Sequence, residues 1–339
     1  MKFARKSTTY ISILLVMLIC NYCKEDDFLD GYDRDELFSS PTQSELDIVQ
    51  SDWNSRDLSV KSYNIEQESK IMNADATLRI VSFIVNGKKE YGALVIPAGN
   101  DTLPVRIYVG GFDIDNYVNS INLVLDNIDD DPFIFAFPAL RGQSLSITIN
   151  HIEYTSPVSD GEHCDAFDGA ADDIIAFLNV IENTEIRADV HRTIVRGGSR
   201  GATVALLVAE RDKRIKRALG IAGPVNLLEL TSSNENDDTY QCQFLNALVE
   251  NYKSPALIRL KMIASSPVYF SELLPKTQLH LAANGLIVPV SQGEELKAAM
   301  TEIGMADSVE LFIYEGRTHQ NIAIDNKPLS DRITEFLKL

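Results

Sequence analysis

Gly197-Gly198-Ser199-Arg200-Gly201 is the stretch of this sequence that could do the most chemistry. A serine hydroxyl is a weak nucleophile until a neighbouring base takes its proton and its setting exposes the oxygen. The flanks of Ser199 predict that setting. Thr193-Ile194-Val195 before it reads as a short strand, and Thr203 to Glu210 after it as a helix. A Gly-x-Ser-x-Gly run on such a corner is a nucleophile elbow, whose glycines leave room for backbone that a Cβ would strike. The first N–H groups of the helix put partial positive charge where an oxyanion would form. Without its flanks Gly198-Ser199 is only a tight turn, so the strand and helix make the difference.

Other chemistries lack their residues. No His-x-x-x-His or Cys-x-x-Cys spacing follows residue 23, so no metal is expected. There is no P-loop, and no other cofactor is expected. The 49 acidic residues exceed the 31 basic ones, giving a formal charge of −18 over 339 residues. Such a chain has no basic field to draw a phosphate backbone, which argues against nucleic acid as a partner. With 45% hydrophobic and 24% charged residues, the composition is globular rather than disordered.

The elements that must position the serine form a regular series. Residues 78–85 and 91–96 read as strands joined at Asn86-Gly87, a strong hairpin-turn signal. Residues 105–109 and 133–137 are further strands, the latter apolar throughout as in a strand buried on both faces. Helical spacing follows from Asp168 to Ile181, then the strand and helix around Ser199, and a strand at 218–222. Residues 225–272 are mixed and helical. The series closes with strands at 278–282 and 309–314, and helices at 292–303 and from about 329 to the end. A hairpin followed by alternating strands and helices predicts an α/β fold with a mostly parallel, doubly wound sheet.

With the elbow in that order, residues 77–339 resemble an α/β-hydrolase, and within that fold the catalytic domain of the prolyl oligopeptidase family and its esterase relatives. Tyr108-Val109-Gly110-Gly111-Phe112 resembles the family's oxyanion loop. Phe137-Pro138-Ala139-Leu140-Arg141-Gly142 and Ser266-Pro267-Val268-Tyr269 resemble two further tracts in their proper places. The resemblance implies that the backbone N–H of Arg200 is one oxyanion donor and that Gly111 or Phe112 carries the other. Where many relatives have a tyrosine hydroxyl in that loop, this chain has Val109. It also implies a late histidine as general base, and His319, after the last strand, stands in that place. His151, His163 and His191 lie in loops and receive no chemistry. His280, on a strand, is read as a hydrogen-bonded core histidine.

The third member departs from the family pattern. The sequence His280-Leu281-Ala282-Ala283-Asn284-Gly285 places Asn284 where the resemblance requires an acid. An amide can accept from an imidazole, but it adds no charge and can hold the wrong tautomer; the serine-protease precedent for this exchange is a loss of about 10⁴ in turnover. Glu315, Glu294, Glu295, Asp237 and Asp238 are the carboxylates that could stand in.

At the other end, Lys2, Arg5 and Lys6 precede an apolar run over residues 11–20, too short to span a bilayer and typical of a secretory signal. Cys23-Lys24-Glu25-Asp26-Asp27 resembles the acylation site of bacterial lipoproteins followed by a surface-export tag, with Cys20 as a rival site. The expected organisation is a signal over 1–22, an acidic tether and irregular cover over 23–70, and the hydrolase domain over 71–339. Residues of about 225–272 would form a small cap over the site. Cys164 and Cys242 can pair in an oxidising compartment or remain two thiols, because separation alone does not fix their distance.

Two functional expectations follow. One is an exported, lipid-anchored serine hydrolase, surface or periplasmic, cleaving a small ester, glycan ester or peptide through an acyl-enzyme on Ser199. The other is a degenerate hydrolase that keeps its cleft to bind a glycan or peptide.

Overall fold

The computed structural model describes residues 28–71, 74–123, 132–250 and 252–338. The expected signal over 1–22, with Cys20, and the expected acylation site Cys23 lie outside them, and no described helix is long and apolar enough to cross a membrane.

Two helices open the described chain, α1 (Arg34–Phe38) and α2 (Gln43–Ser55). Thr42 and Glu45 form a reciprocal capping box that starts α2. Far from hanging free as a tether, this segment is docked. Leu29, Leu37, Val49 and Trp53 are buried in the main core, Trp53 Nε1 donates to Asp168 at 2.8 Å, and Arg259 donates to Glu45 at 2.5 Å.

β1 (Ser62–Lys70) then pairs antiparallel with β2 (Ala76–Val85), which turns back as β3 (Lys88–Pro97). The boundary expected near residue 70 therefore falls too late, because β1 is an edge strand of the main sheet. Its side chains are mostly exposed, so backbone pairing holds it and no apolar alternation marks it. The turn between β2 and β3 is the expected one: Asn86 and Gly87 both take positive φ, at 50° and 75°.

Four strands follow: β4 (Leu103–Val109), β5 (Val118–Leu123), β6 (Ile134–Ala139) and β7 (Ser144–Ile149). After β8 (Ile152–Thr155) comes α3 (Asp168–Thr184), then β9 (Ala188–Gly198), α4 (Arg200–Arg211) and β10 (Ile215–Ile221). α5 (Leu227–Ser233) and α6 (Pro255–Ala264) precede β11 (Lys276–Ala282). The chain ends with α7 (Val290–Glu302), β12 (Val309–Tyr314) and α8 (Lys327–Phe336).

The main sheet has nine strands in the order β1-β2-β3-β6-β4-β9-β10-β11-β12. From β6 to β12 all neighbours are parallel. One apolar core lies between this sheet and α3, α4 and the opening helices; the other lies on the opposite face, against α8 and a small second sheet. That second sheet, β5-β7-β8, is absent from the sequence expectations. The expected cap is also relocated. Leu227, Leu228, Phe244, Ile258 and Met262 are buried in the main core with the opening helices, so the described residues of 225–272 are packed down and none of them lines the cleft beside Ser199.

Candidate active site

Parallel strands aim their C-terminal ends at one edge of the sheet, and the loops that leave β4, β9, β11 and β12 meet there. β9 runs straight into α4 through Ser199, whose φ of 53° and ψ of −129° are strained for a residue with a side chain. Packing enforces that strain. The space a Cβ would need at Gly197 is filled by the Gly201 carbonyl, and at Gly201 by those of Val109 and Gly110. Ser199 N–H also donates to the Ile221 carbonyl at 2.8 Å. The corner thus pins the hydroxyl at the start of α4.

The loop after β12 brings His319 to the same point, with Nε2 3.0 Å from Ser199 Oγ. That is within range for the ring to take the hydroxyl proton. Burial holds the His319 imidazole below the usual histidine range, so it is neutral and able to accept at neutral pH.

The glycine loop after β4 lies alongside. A Cβ on Gly111 would sit 3.7 Å from that of Ser199, and Gly111 lines the cleft. The Phe112 ring faces away and stacks on His163 at 4.6 Å, with Tyr117 on the same imidazole at 4.3 Å. Here the structure shows contacts that the sequence reading missed. The Arg200 side chain is 3% exposed, and its guanidinium donates to the carbonyls of Gly110 at 3.2 Å and Gly111 at 2.7 Å, and to Gln143 at 3.0 Å. In trans peptides each C=O is antiparallel to the next N–H. Anchoring those two carbonyls therefore turns the N–H groups of Gly111 and Phe112 away from the guanidinium, with their direction fixed. Burial pushes the Arg200 guanidinium down to about 9, still charged at neutral pH.

The acid position is reached by backbone only. Asn284 N–H donates to the Arg317 carbonyl at 2.9 Å, which ties the loop after β11 to the histidine loop. The Asn284 side chain, however, is exposed, and His319 Nδ1 is buried with no hydrogen-bond partner. The expectation that Asn284 orients the ring is not met. Nor do the substitute carboxylates serve. Glu294, Glu315, Asp237 and Asp238 are exposed, Glu295 accepts from Asn226 at 2.7 Å, and burial alone acts on the His319 ring. His280 is the core histidine expected. It lies between Tyr314 Oη at 2.8 Å and Gln278 Oε1 at 2.9 Å, and burial, then Arg332 and Arg196, push it down to about 3.

Ser199 and His319 open onto a cleft of about 470 Å³. Asn119, Ile121 and Asn122 from β5 and Gln320, Ile322 and Ala323 after the histidine form its walls. Asn119 is 5% exposed, its amide lies against Gly110, and its Nδ2 has no partner. Nearby, Cys164 and Cys242 form a disulfide with Cα atoms 5.4 Å apart. No described cluster of His, Cys, Asp and Glu could hold a metal.

No protein-family profile matches the chain, and no curated protein matches it by sequence. Solved structures do. The chain is similar to acetyl xylan esterase 1 from Thermoanaerobacterium sp. JW/SL YS485, with a TM-score of 0.61 and 12% identity over 90% of this chain and 96% of that one. An acetyl xylan esterase from Paenibacillus sp. R4 gives 0.58 and 15% over 88% and 95%. Pyrococcus horikoshii acylaminoacyl peptidase gives 0.52 and 10% over 82% of this chain and 50% of that one. The chain has the α/β-hydrolase fold.

Proposed function

We propose that this chain is an exported serine hydrolase acting on esters, with Ser199 as nucleophile and His319 as general base. The observation that carries the proposal is the 3.0 Å contact between His319 Nε2 and Ser199 Oγ on a strained, packed elbow. Ser199 Oγ attacks the ester carbonyl as His319 Nε2 takes its proton. The oxyanion collects against the Arg200 N–H and that of Gly111 or Phe112. His319 returns the proton to the departing alcohol, leaving the acyl group on Ser199. Water, deprotonated by His319, then releases the acid.

The missing carboxylate favours esters over peptides. A peptide's amine leaves only after the imidazolium protonates it, whereas an alkoxide departs with less help. With no negative charge at Nδ1 and the ring held low by burial, imidazolium is costly here, and that cost falls hardest on amides. A small acyl group on a glycan, such as the acetyl esters named for two structurally similar enzymes, is the substrate class we favour.

The unpartnered Nδ1 also supports a second reading, a degenerate hydrolase that binds a glycan or peptide without turnover. Rates on 4-nitrophenyl acetate and 4-nitroacetanilide separate the two. The expected result is ester turnover at least ~10³-fold above Ser199→Ala, with the anilide near background. Equal rates in wild type and Ser199→Ala would favour the binding protein. Export with acylation at Cys23 belongs to the proposal and rests on the signal-like sequence; the mass of the mature N-terminal peptide from membranes tests it, Cys20 being the alternative.

A further inference from the structure

In a chain of charge −18, no described residue lining the cleft is Asp or Glu, and among those described Arg196 is the charged one. Arg196 lies on β9, three residues before Ser199, and is half-buried. Its guanidinium sits 4.7 Å from the centre of the Tyr108 ring, which also lines the cleft. Among the described residues it makes no hydrogen bond or ion pair. Every other half-buried or buried arginine considered above has its donors occupied: Arg200 by carbonyls and Gln143, Arg259 by Glu45 and the carbonyls of Leu37 and Ser39.

A half-buried guanidinium that meets only an aromatic face keeps its N–H donors available to an anion. Arg332 lies over Phe312 at 4.2 Å and donates to Tyr314 Oη at 3.3 Å. After burial, Arg332 and Arg196 both act against protonation of His280. In a chain of net charge −18, the described cleft lining thus carries a cation and no carboxylate. Asn119, Asn122 and Gln320 add amide donors beside it. Five N–H donors in a planar fork suit a carboxylate better than any neutral group.

We propose that the cleft selects a substrate bearing a carboxylate, which docks on Arg196 while its ester faces Ser199. This rests on the ester-hydrolase reading for the role of the cleft, but the anion site can be tested without turnover. Two pairs of amide analogues, inert as esters, serve as probes: N-phenylsuccinamate with N-phenylsuccinamide, whose carboxylate is on the acyl side, and 4-acetamidobenzoate with 4-acetamidobenzamide, whose carboxylate is on the leaving-group side. Calorimetry on the full chain is expected to give at least one acid bound about ten-fold or more tighter than its neutral partner, a gap that narrows with salt. The pair that responds tells which side of the ester carries the charge.

Arg196→Met keeps the packing on Tyr108 and should erase the gap, while Arg196→Lys should retain part of it. If neither acid outbinds its amide, or if the preference survives Arg196→Met, the assignment is overturned. An Arg196-dependent preference in a protein that hydrolyses no ester would uphold the anion site and remove the hydrolase.

Discussion

His319 has two ring nitrogens, and the molecule treats them differently. On the Nε2 side stands the elbow after β9, where close glycine approaches, the Ser199–Ile221 hydrogen bond and the Arg200 side chain all fix one geometry. On the Nδ1 side stands the loop after β11, joined to the histidine loop through Asn284 N–H and Arg317 O, yet offering the ring no acceptor. Position and charge have come apart. On the proposed reading, the fold supplies a serine and a histidine in the geometry of nucleophile and base, and offers nothing that would stabilise the imidazolium. A serine hydrolase with one side over-determined and the other bare should be slow, restricted to easy leaving groups and responsive to a single restored carboxylate.

That comparison can be broken from its strong side. Ser199→Ala should lower ester turnover by ~10³-fold or more with little change in melting temperature, because the hydroxyl's role is chemical. Steady-state rates and thermal unfolding of the two proteins check this. The weak side should improve. Because its charge would draw the now exposed side chain toward Nδ1, Asn284→Asp is expected to raise kcat by about ten-fold or more, a part of the ~10⁴ that the reverse exchange costs elsewhere. An unchanged kcat would mean that the exposed loop does not present a carboxylate to Nδ1.

Arg200→Met tests the loop anchor. Freed from the guanidinium, the Gly110 and Gly111 carbonyls lose their fixed direction, and kcat should fall by about ten-fold with KM nearly unchanged, as for a lost oxyanion donor. The pH profile gives a smaller effect. His319 must be neutral to act, so activity rises with pH through its folded pKa, and burial places that limb below the ordinary histidine value. In Asn284→Asp the new charge favours imidazolium, so the limb should move to higher pH; kcat/KM from pH 4 to 9 in both proteins would show it. The smallest effect on turnover belongs to the disulfide. Cys164 and Cys242 are 78 residues apart, for which loop closure is worth about 4 kcal/mol in the chain-entropy account. Cys164→Ala with Cys242→Ala should therefore melt earlier in denaturant while leaving kcat within about two-fold.

Much of the nucleophile side is legible in the sequence. The Gly-x-Ser-x-Gly corner, the Asn86-Gly87 turn and the late histidine are local signals, each dictated by backbone sterics or chain order, and the strands and helices around them fall within a few residues of their expected ends. What the sequence hides is tertiary. β1 has too few buried side chains to show a pattern. Residues 225–272 read as helical, but nothing local says that Leu227, Phe244 and Met262 pack downwards rather than over the cleft. The second sheet did leave a trace, since Ser144-Leu145-Ser146-Ile147-Thr148-Ile149 alternates in burial as in residue type. Arg200 and Arg196 are plain charged residues until the fold shows one bonded to the glycine loop and the other lining the cleft.

The most direct measurement is the position of the adduct formed with an alkyl fluorophosphonate, read by peptide mass spectrometry in wild type, Ser199→Ala and Asn284→Asp. This reagent needs an activated serine and little else. Labelling at Ser199 in wild type, none in Ser199→Ala, and faster labelling in Asn284→Asp is the expected result. A wild-type protein that stays unlabelled while Asn284→Asp is labelled would contradict the central claim that the bare Ser199–His319 pair is active.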